Sequence, residues 1–160
     1  MSQNINIMST LCYLKQGGKT LMLHRIKKDQ DIHQGKWNGL GGKFLSGESP
    51  EECVIREVEE ESGFRIQNPK LHGFLTFPNF KAGQDWQMFL YTATEFTGTI
   101  KDCDEGHLEW IEDSKLKSLP LWEGDTLFLD WLKQDKFFTG KFVYENKKLI
   151  SHSVQFHPQA

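Results

Sequence analysis

Between Lys43 and Arg65 the chain carries Glu48, Glu51, Glu52, Glu57, Glu59, Glu60 and Glu61 with a single base, Arg56. On a helix of 3.6 residues per turn, Glu57, Glu60 and Glu61 fall within an arc of about 100°, while Val54, Ile55 and Val58 occupy a separate arc able to face a core. A solvated charged face sets Lys or Arg three or four residues after each Glu. Here the neighbours Glu57/Glu60 and Glu57/Glu61 are like charges costing about 0.2–0.5 kcal/mol each, close to the negative end of the helix dipole. A hard divalent cation, Mg²⁺ with Mn²⁺ as a substitute, relieves that repulsion and takes carboxylate, water and phosphate oxygens at about 2.0–2.1 Å. A nucleotide phosphate chain is the partner such a site calls for. Gly39, Gly41, Gly42 and Gly47, just before the helix, let backbone come close to metal or phosphate. Arg56 reaches either Glu60 at i+4 or back to Glu48, and the role read for Arg56 and Glu48 is orientation.

The elements that must position these groups are readable in part. Ser49-Pro50-Glu51-Glu52 places Ser at the N-cap, Pro at N1 and Glu at N3 of a capping box, and Gly63 suits the left-handed C′ position. The helix is therefore expected over Pro50–Ser62. Strands are expected at Ser9–Lys15 and Thr20–Ile26 around Gln16-Gly17-Gly18-Lys19, and at Lys70–Phe77, Trp86–Thr94 and Leu108–Ile111. Lys27–Gly42 reads as a long polar loop, and loops of that length are commonly functional. A second helix is expected from Gly124 to Gln134, with Leu127, Phe128, Trp131 and Leu132 on its apolar stripe. Phe137–Tyr144 and Leu149–Phe156 read as a closing hairpin. Non-alternating strands with two embedded helices suggest an α/β fold, a mixed sheet with helices on both faces.

Composition narrows the classes. At 160 residues, one domain over 1–160 is expected, and 38% hydrophobic with 12% aromatic residues excludes disorder. A net charge of −3 lacks the basic excess that tracks nucleic-acid phosphates, so no polymeric DNA or RNA partner is expected. No stretch approaches 18 consecutive apolar residues, and no membrane association is expected. Cys12, Cys53 and Cys103 are odd in number and far apart, which suits a reducing, cytoplasmic setting. The triplet Gly18-Lys19-Thr20 fails as a phosphate loop, which needs glycine where Tyr13 stands. The six histidines show no ligand spacing.

The string Gly42-x5-Glu48-x7-Arg56-Glu57-Val58-x-Glu60-Glu61-x-Gly63-Phe64 resembles a complete Nudix box. That resemblance implies the family's α/β/α sandwich with a mixed central sheet, and metal-dependent attack of water on a diphosphate linked to another moiety. It makes Glu57, Glu60 and Glu61 metal ligands, with the Gly42 carbonyl as a further one. Asp102-Cys103-Asp104-Glu105 is similar to the region where the family supplies another carboxylate, and Glu105 is the choice. Glu57 and Glu105 are the alternatives for accepting the water's proton.

Two flanking segments resemble the MutT-like branch of oxidised purine nucleoside triphosphatases. Gly35-Lys36-Trp37-Asn38-Gly39-Leu40-Gly41-Gly42-Lys43 is similar to the segment before the box, where the Asn matching Asn38 hydrogen-bonds the base. Leu121-Trp122-Glu123-Gly124-Asp125 resembles a Trp-Pro-Asp-Asp in which the Trp stacks on the purine and the acids read its edge. Asp125 matches the second acid, Gly124 stands at the first, and Glu123 is the neighbouring acid that could substitute. Taken singly, Trp122 reads as a packing aromatic, Asp125 as a helix cap and Asn38 as a turn residue. Arg25, at a strand end, reads equally as a triphosphate contact or an exposed arginine. The implied reaction is hydrolysis of a nucleotide such as 8-oxo-dGTP to the monophosphate and pyrophosphate. The alternatives are a hydrolase for ADP-sugars or dinucleoside polyphosphates and a non-catalytic nucleotide-binding module.

Overall fold

A computed structural model describes residues 3–27 and 31–158. The first hairpin joins β1 (Ile5–Gln16) to β2 (Lys19–His24) in the register Leu14↔Leu21, with Gly17 and Gly18 in left-handed turn conformations. The triplet that mimics a phosphate loop thus lies in a hairpin turn. β3 (Trp37–Asn38) adds to β2 through Leu23↔Asn38. Helix α1 (Pro50–Ser62) begins with the expected capping box, Ser49 accepting from the Glu52 N–H and Glu52 from the Ser49 N–H. It ends at Gly63, whose φ of 85° needs no Cβ.

The chain continues through β4 (Phe64–Gln67), β5 (Lys70–Lys81), β6 (Gln84–Ala93), β7 (Glu95–Gly98) and β8 (His107–Glu112). A 3₁₀ turn (Asp113–Ser118), α2 (Glu123–Trp131), β9 (Phe137–Glu145) and β10 (Lys148–His157) complete it. Among the described residues the large sheet runs β10-β9-β5-β6-β1-β2-β3, with β8 also on β2 and β4–β7 apart as a pair. It is mixed, with β1/β6 and β5/β9 parallel.

Alternation along β1 divides the core. Tyr13 packs on one side with Phe128 and Leu129 of α2, whereas Cys12 and Leu14 pack on the other with Val54 and Val58 of α1. The helices therefore cover opposite faces, as expected of an α/β/α sandwich, each large buried side chain contributing about 1.5–3 kcal/mol. No helix among the described residues is long and apolar enough to cross a membrane.

Several boundaries differ from the sequence reading. β1 starts at Ile5 because parallel pairing with β6 runs from Ile5↔Gln84 to Leu14↔Ala93, a long-range partner that local pattern does not show. β5 continues past Pro78 to Lys81 through a register shift, helped by the Asn79 N–H donating to Asp85. α2 starts at Glu123 and stops at Trp131, after which the chain turns through Leu132, Lys133 and Gln134. β3, β4 and β7 are too short to carry a periodic signal. Of the expected loop Lys27–Gly42, residues 28–30 lie outside the described residues; the remainder holds β3 and is bridged to β1 at Cys12↔Leu40.

Candidate active site

Gly41 and Gly42 lie against β1 and α1 where no side chain fits. A Cβ on Gly41 would fall 2.1 Å from the Thr10 carbonyl oxygen, at a φ of 151°, and one on Gly42 would fall 2.6 Å from the Glu57 carboxylate. Each carboxylate of the acidic cluster has a protein partner. Glu61, 7% exposed, accepts from the Gly41 N–H at 2.7 Å. Arg56 donates to Glu48 through Nε (2.6 Å) and Nη2 (3.0 Å), to Glu57 (2.9 Å), to Glu60 (3.1 Å) and to the Lys43 carbonyl (3.0 Å). Arg25 pairs with Glu105 at 3.3 Å and with Asp31 at 2.8 Å.

The electrostatics follow from burial. Burial, then the Glu105 and Glu57 charges, push the Glu61 carboxyl well above the usual carboxylate range against the Gly41 N–H. Burial likewise raises Glu57, with Arg56 opposing and Glu60 and Glu105 adding to the rise. The Glu48 carboxyl is held low by its hydrogen bonds from Arg56. Glu57, Glu61 and Glu105 therefore act on one another as like charges, and a hard cation is the complement to such an oxygen donor set. Among the described residues no three His, Cys, Asp or Glu side chains form a ready-made ligand cluster, since Arg56, Gly41 and Arg25 draw the carboxylates apart.

A cavity of about 390 Å³ joins this cluster to a second one. Its walls include Gly42, Glu57, Glu105 and Arg25, and also Asn38, Trp122 and Asp125. The Asn38 Nδ2 is buried without a hydrogen-bond partner among the described residues, and so is the Tyr13 hydroxyl. Asp125 is 7% exposed, and burial pushes its carboxyl up to about 8, with Lys36 opposing. Trp122 packs against Phe80 and Tyr144 at centroid distances of 5.1 and 5.3 Å, with the Lys36 ammonium 5.3 Å from the centre of its ring.

Some sequence-predicted residues are placed elsewhere. Glu123 is exposed and accepts from the Leu149 N–H on β10, outside the cavity, because the first turn of α2 points it at the closing hairpin. Nor can position 124 supply the missing acid: a Cβ there would meet Phe142 and the Tyr144 hydroxyl at 2.8 Å. The Gly42 carbonyl, expected as a metal ligand, accepts from the Thr10 N–H at 2.9 Å and from Cys53 Sγ at 3.6 Å. Glu48, Arg56, Glu60 and Glu61 are not among the residues that line the cavity. Arg25 is neither exposed nor free, being paired with two acids. Sequence reasoning missed His33, Phe80 and Tyr144, all of which line the cavity. The fold brings them there from a loop, a bulged strand end and the last hairpin, and no local pattern marks them.

The NUDIX domain family matches residues 7–132. The chain is 36% identical over 152 residues to the uncharacterized Nudix hydrolase YvcI of Bacillus subtilis, covering 91% of this chain and 92% of the relative. It is 28% identical over 141 residues to the oxidized purine nucleoside triphosphate hydrolase of Danio rerio, covering 88% of each. Among solved structures, a MutT protein from Bacillus halodurans superposes with a TM-score of 0.82 at 31% identity, covering 92% of this chain and 97% of that one.

Proposed function

The chain belongs to the NUDIX family of pyrophosphohydrolases, and from that premise we propose that it hydrolyses oxidised purine nucleoside triphosphates such as 8-oxo-dGTP to the monophosphate and pyrophosphate, with Mg²⁺ or Mn²⁺. The biological role read from this is nucleotide-pool sanitation in the cytoplasm. The observation carrying the proposal is the single cavity that joins Glu57 and Glu105 to Asn38, Trp122 and Asp125. Glu57, Glu60, Glu61, Glu105 and the Gly42 carbonyl are the groups that would hold metal, with Arg56 and Glu48 orienting Glu57 and Glu60. A bound divalent ion supplies charge neutralisation of the phosphates and a lowered pKa for the attacking water. The whole chain is read as one domain, because β9 pairs with β5 in the same sheet and Phe138 and Phe142 lie in the core beside α2.

Base recognition falls to three residues. Trp122 offers a stacking platform. Asn38 brings an amide donor with no acceptor among the described residues. A carboxyl raised to about 8 is neutral at pH 7, so Asp125 presents one donor and one acceptor side by side. An 8-oxopurine edge, with N7–H beside the 6-oxygen, complements that pair, whereas ordinary guanine offers two acceptors there. A second reading is favoured by Gly124: with no room for an acid at that position, the pocket is less selective than in the oxidised-purine branch and extends to other nucleoside diphosphate derivatives. A hydrolysis screen with Mg²⁺ over 8-oxo-dGTP, dGTP, dATP, ADP-ribose and dinucleoside polyphosphates, with products identified, separates the two. Preference for ADP-ribose or a polyphosphate overturns the first reading.

A further inference from the structure

His33 belongs to none of the motifs, yet it lines the cavity with its ring held between Trp122 and Phe80. Its Nδ1 accepts from the Trp122 indole N–H at 2.8 Å, with the two rings edge to face at 5.6 Å. Its other neighbour is Phe80, stacked at 6.1 Å. Its backbone N–H donates to Asp31 Oδ1 at 3.1 Å, and Asp31 Oδ2 takes the Arg25 Nε at 2.8 Å. The Lys36 N–H closes the turn on the His33 carbonyl at 2.8 Å. A buried indole N–H requires an acceptor, and the acceptor fixes the ring's rotation. Because Nδ1 accepts, the neutral imidazole carries its proton on Nε2.

We infer that His33 is the positioning residue for Trp122 and a determinant of nucleotide selectivity: it holds the indole plane at the angle at which a purine stacks. The inference rests on the reading of Trp122 as the base platform. Stacking acts on bound ground state and transition state alike, so misaligning the platform raises KM and spares kcat. Loss of the acceptor should also hurt purine triphosphates more than pyrimidine triphosphates, whose smaller ring covers less of the platform.

The test uses His33→Phe, which keeps a ring against Phe80 but has no acceptor, and His33→Asn, whose Oδ1 stands where Nδ1 stood. His33→Phe should raise KM for purine triphosphates about tenfold with kcat within about twofold, and His33→Asn should restore KM to within about threefold of wild type. In ¹⁵N spectra the Trp122 indole resonance, assigned through Trp122→Phe, should shift in His33→Phe and hold in His33→Asn. The inference is overturned if His33→Phe leaves KM and that resonance unchanged, or if both variants lower kcat instead. If Trp122→Ala leaves purine KM unchanged, the platform reading falls and takes the inference with it. If Trp122→Ala raises KM and His33→Phe does not, only the inference falls.

Discussion

On its acidic side the cavity draws on α1 and the turn before β8, whereas on its base side Asn38, Trp122, Asp125 and Tyr144 come from β3, the start of α2 and β9. The acidic side restrains its carboxylates with cations and backbone N–H donors, Arg56 reaching three of them and Arg25 two. The base side works by burial, which favours the neutral forms of Asp125 and His33 at pH 7 and leaves Asn38 without an acceptor among the described residues. Charge chemistry can be organised on one helix because carboxylates at i, i+3 and i+4 are neighbours by geometry. A pocket that reads a base must be dry, and dryness takes walls from several elements.

The largest effect should come from breaking the acidic side. Glu61→Gln should lower kcat by about 100-fold or more, while stability without metal stays level or rises. Burial already favours the neutral form of Glu61, and the Gln oxygen still accepts from the Gly41 N–H. Kinetics with Mg²⁺ and melting in chelator check the two halves; a marked loss of metal-free stability would show that Glu61 serves the fold.

Asp125 tests the base side through linkage. Its folded pKa of about 8 lies above the ordinary 3.8, so the folded state retains a proton that the unfolded state releases. Wild-type stability should therefore fall as pH rises from about 4 to about 8, and Asp125→Asn, having no proton to lose, should gain on wild type over that window by a few kcal/mol. Urea unfolding at pH 4, 6 and 8 measures it. A constant difference across the three would mean that Asp125 is ionised in the fold.

Trp122→Ala should raise KM for purine triphosphates about tenfold, since base–aromatic stacking is worth about 1–3 kcal/mol, with little change in kcat. The smallest effect is expected for Arg56→Lys. One ammonium cannot hold both Glu48 oxygens and the Lys43 carbonyl at once, so a melting temperature lower by a few degrees and a modest loss of kcat should follow. An unchanged kcat would reduce Arg56 to a fold-stabilising role.

The contrast also explains what could be read from the chain alone. The capping box at Ser49 and Glu52, the Gly63 stop and the carboxylate spacing are all encoded within one helix, and the structure places them as the pattern implies. What the spacing could not show is that Arg56 holds Glu48, Glu57 and Glu60 at once and that Glu61 turns inward to Gly41, because Lys43, Glu48 and Gly41 lie outside the helix. On the base side the resemblance marks Asn38 and Asp125, while His33 and Tyr144 reach the cavity through tertiary packing alone, one from a loop and the other from β9. Glu123 was misplaced for a related reason. Beside Asp125 in sequence, it is turned by the helix to the opposite side, where the β10 backbone offers an N–H.

On the proposed function, one cavity combines phosphate chemistry with recognition of an oxidised base edge. The ratio of kcat/KM for 8-oxo-dGTP to that for dGTP, measured with Mg²⁺ in wild type and in Asp125→Ala, tests it most directly. A ratio well above one in wild type that collapses towards one in Asp125→Ala is the predicted result. An unchanged ratio in the variant, or no preference in wild type, would contradict the base-reading half and leave only the hydrolase.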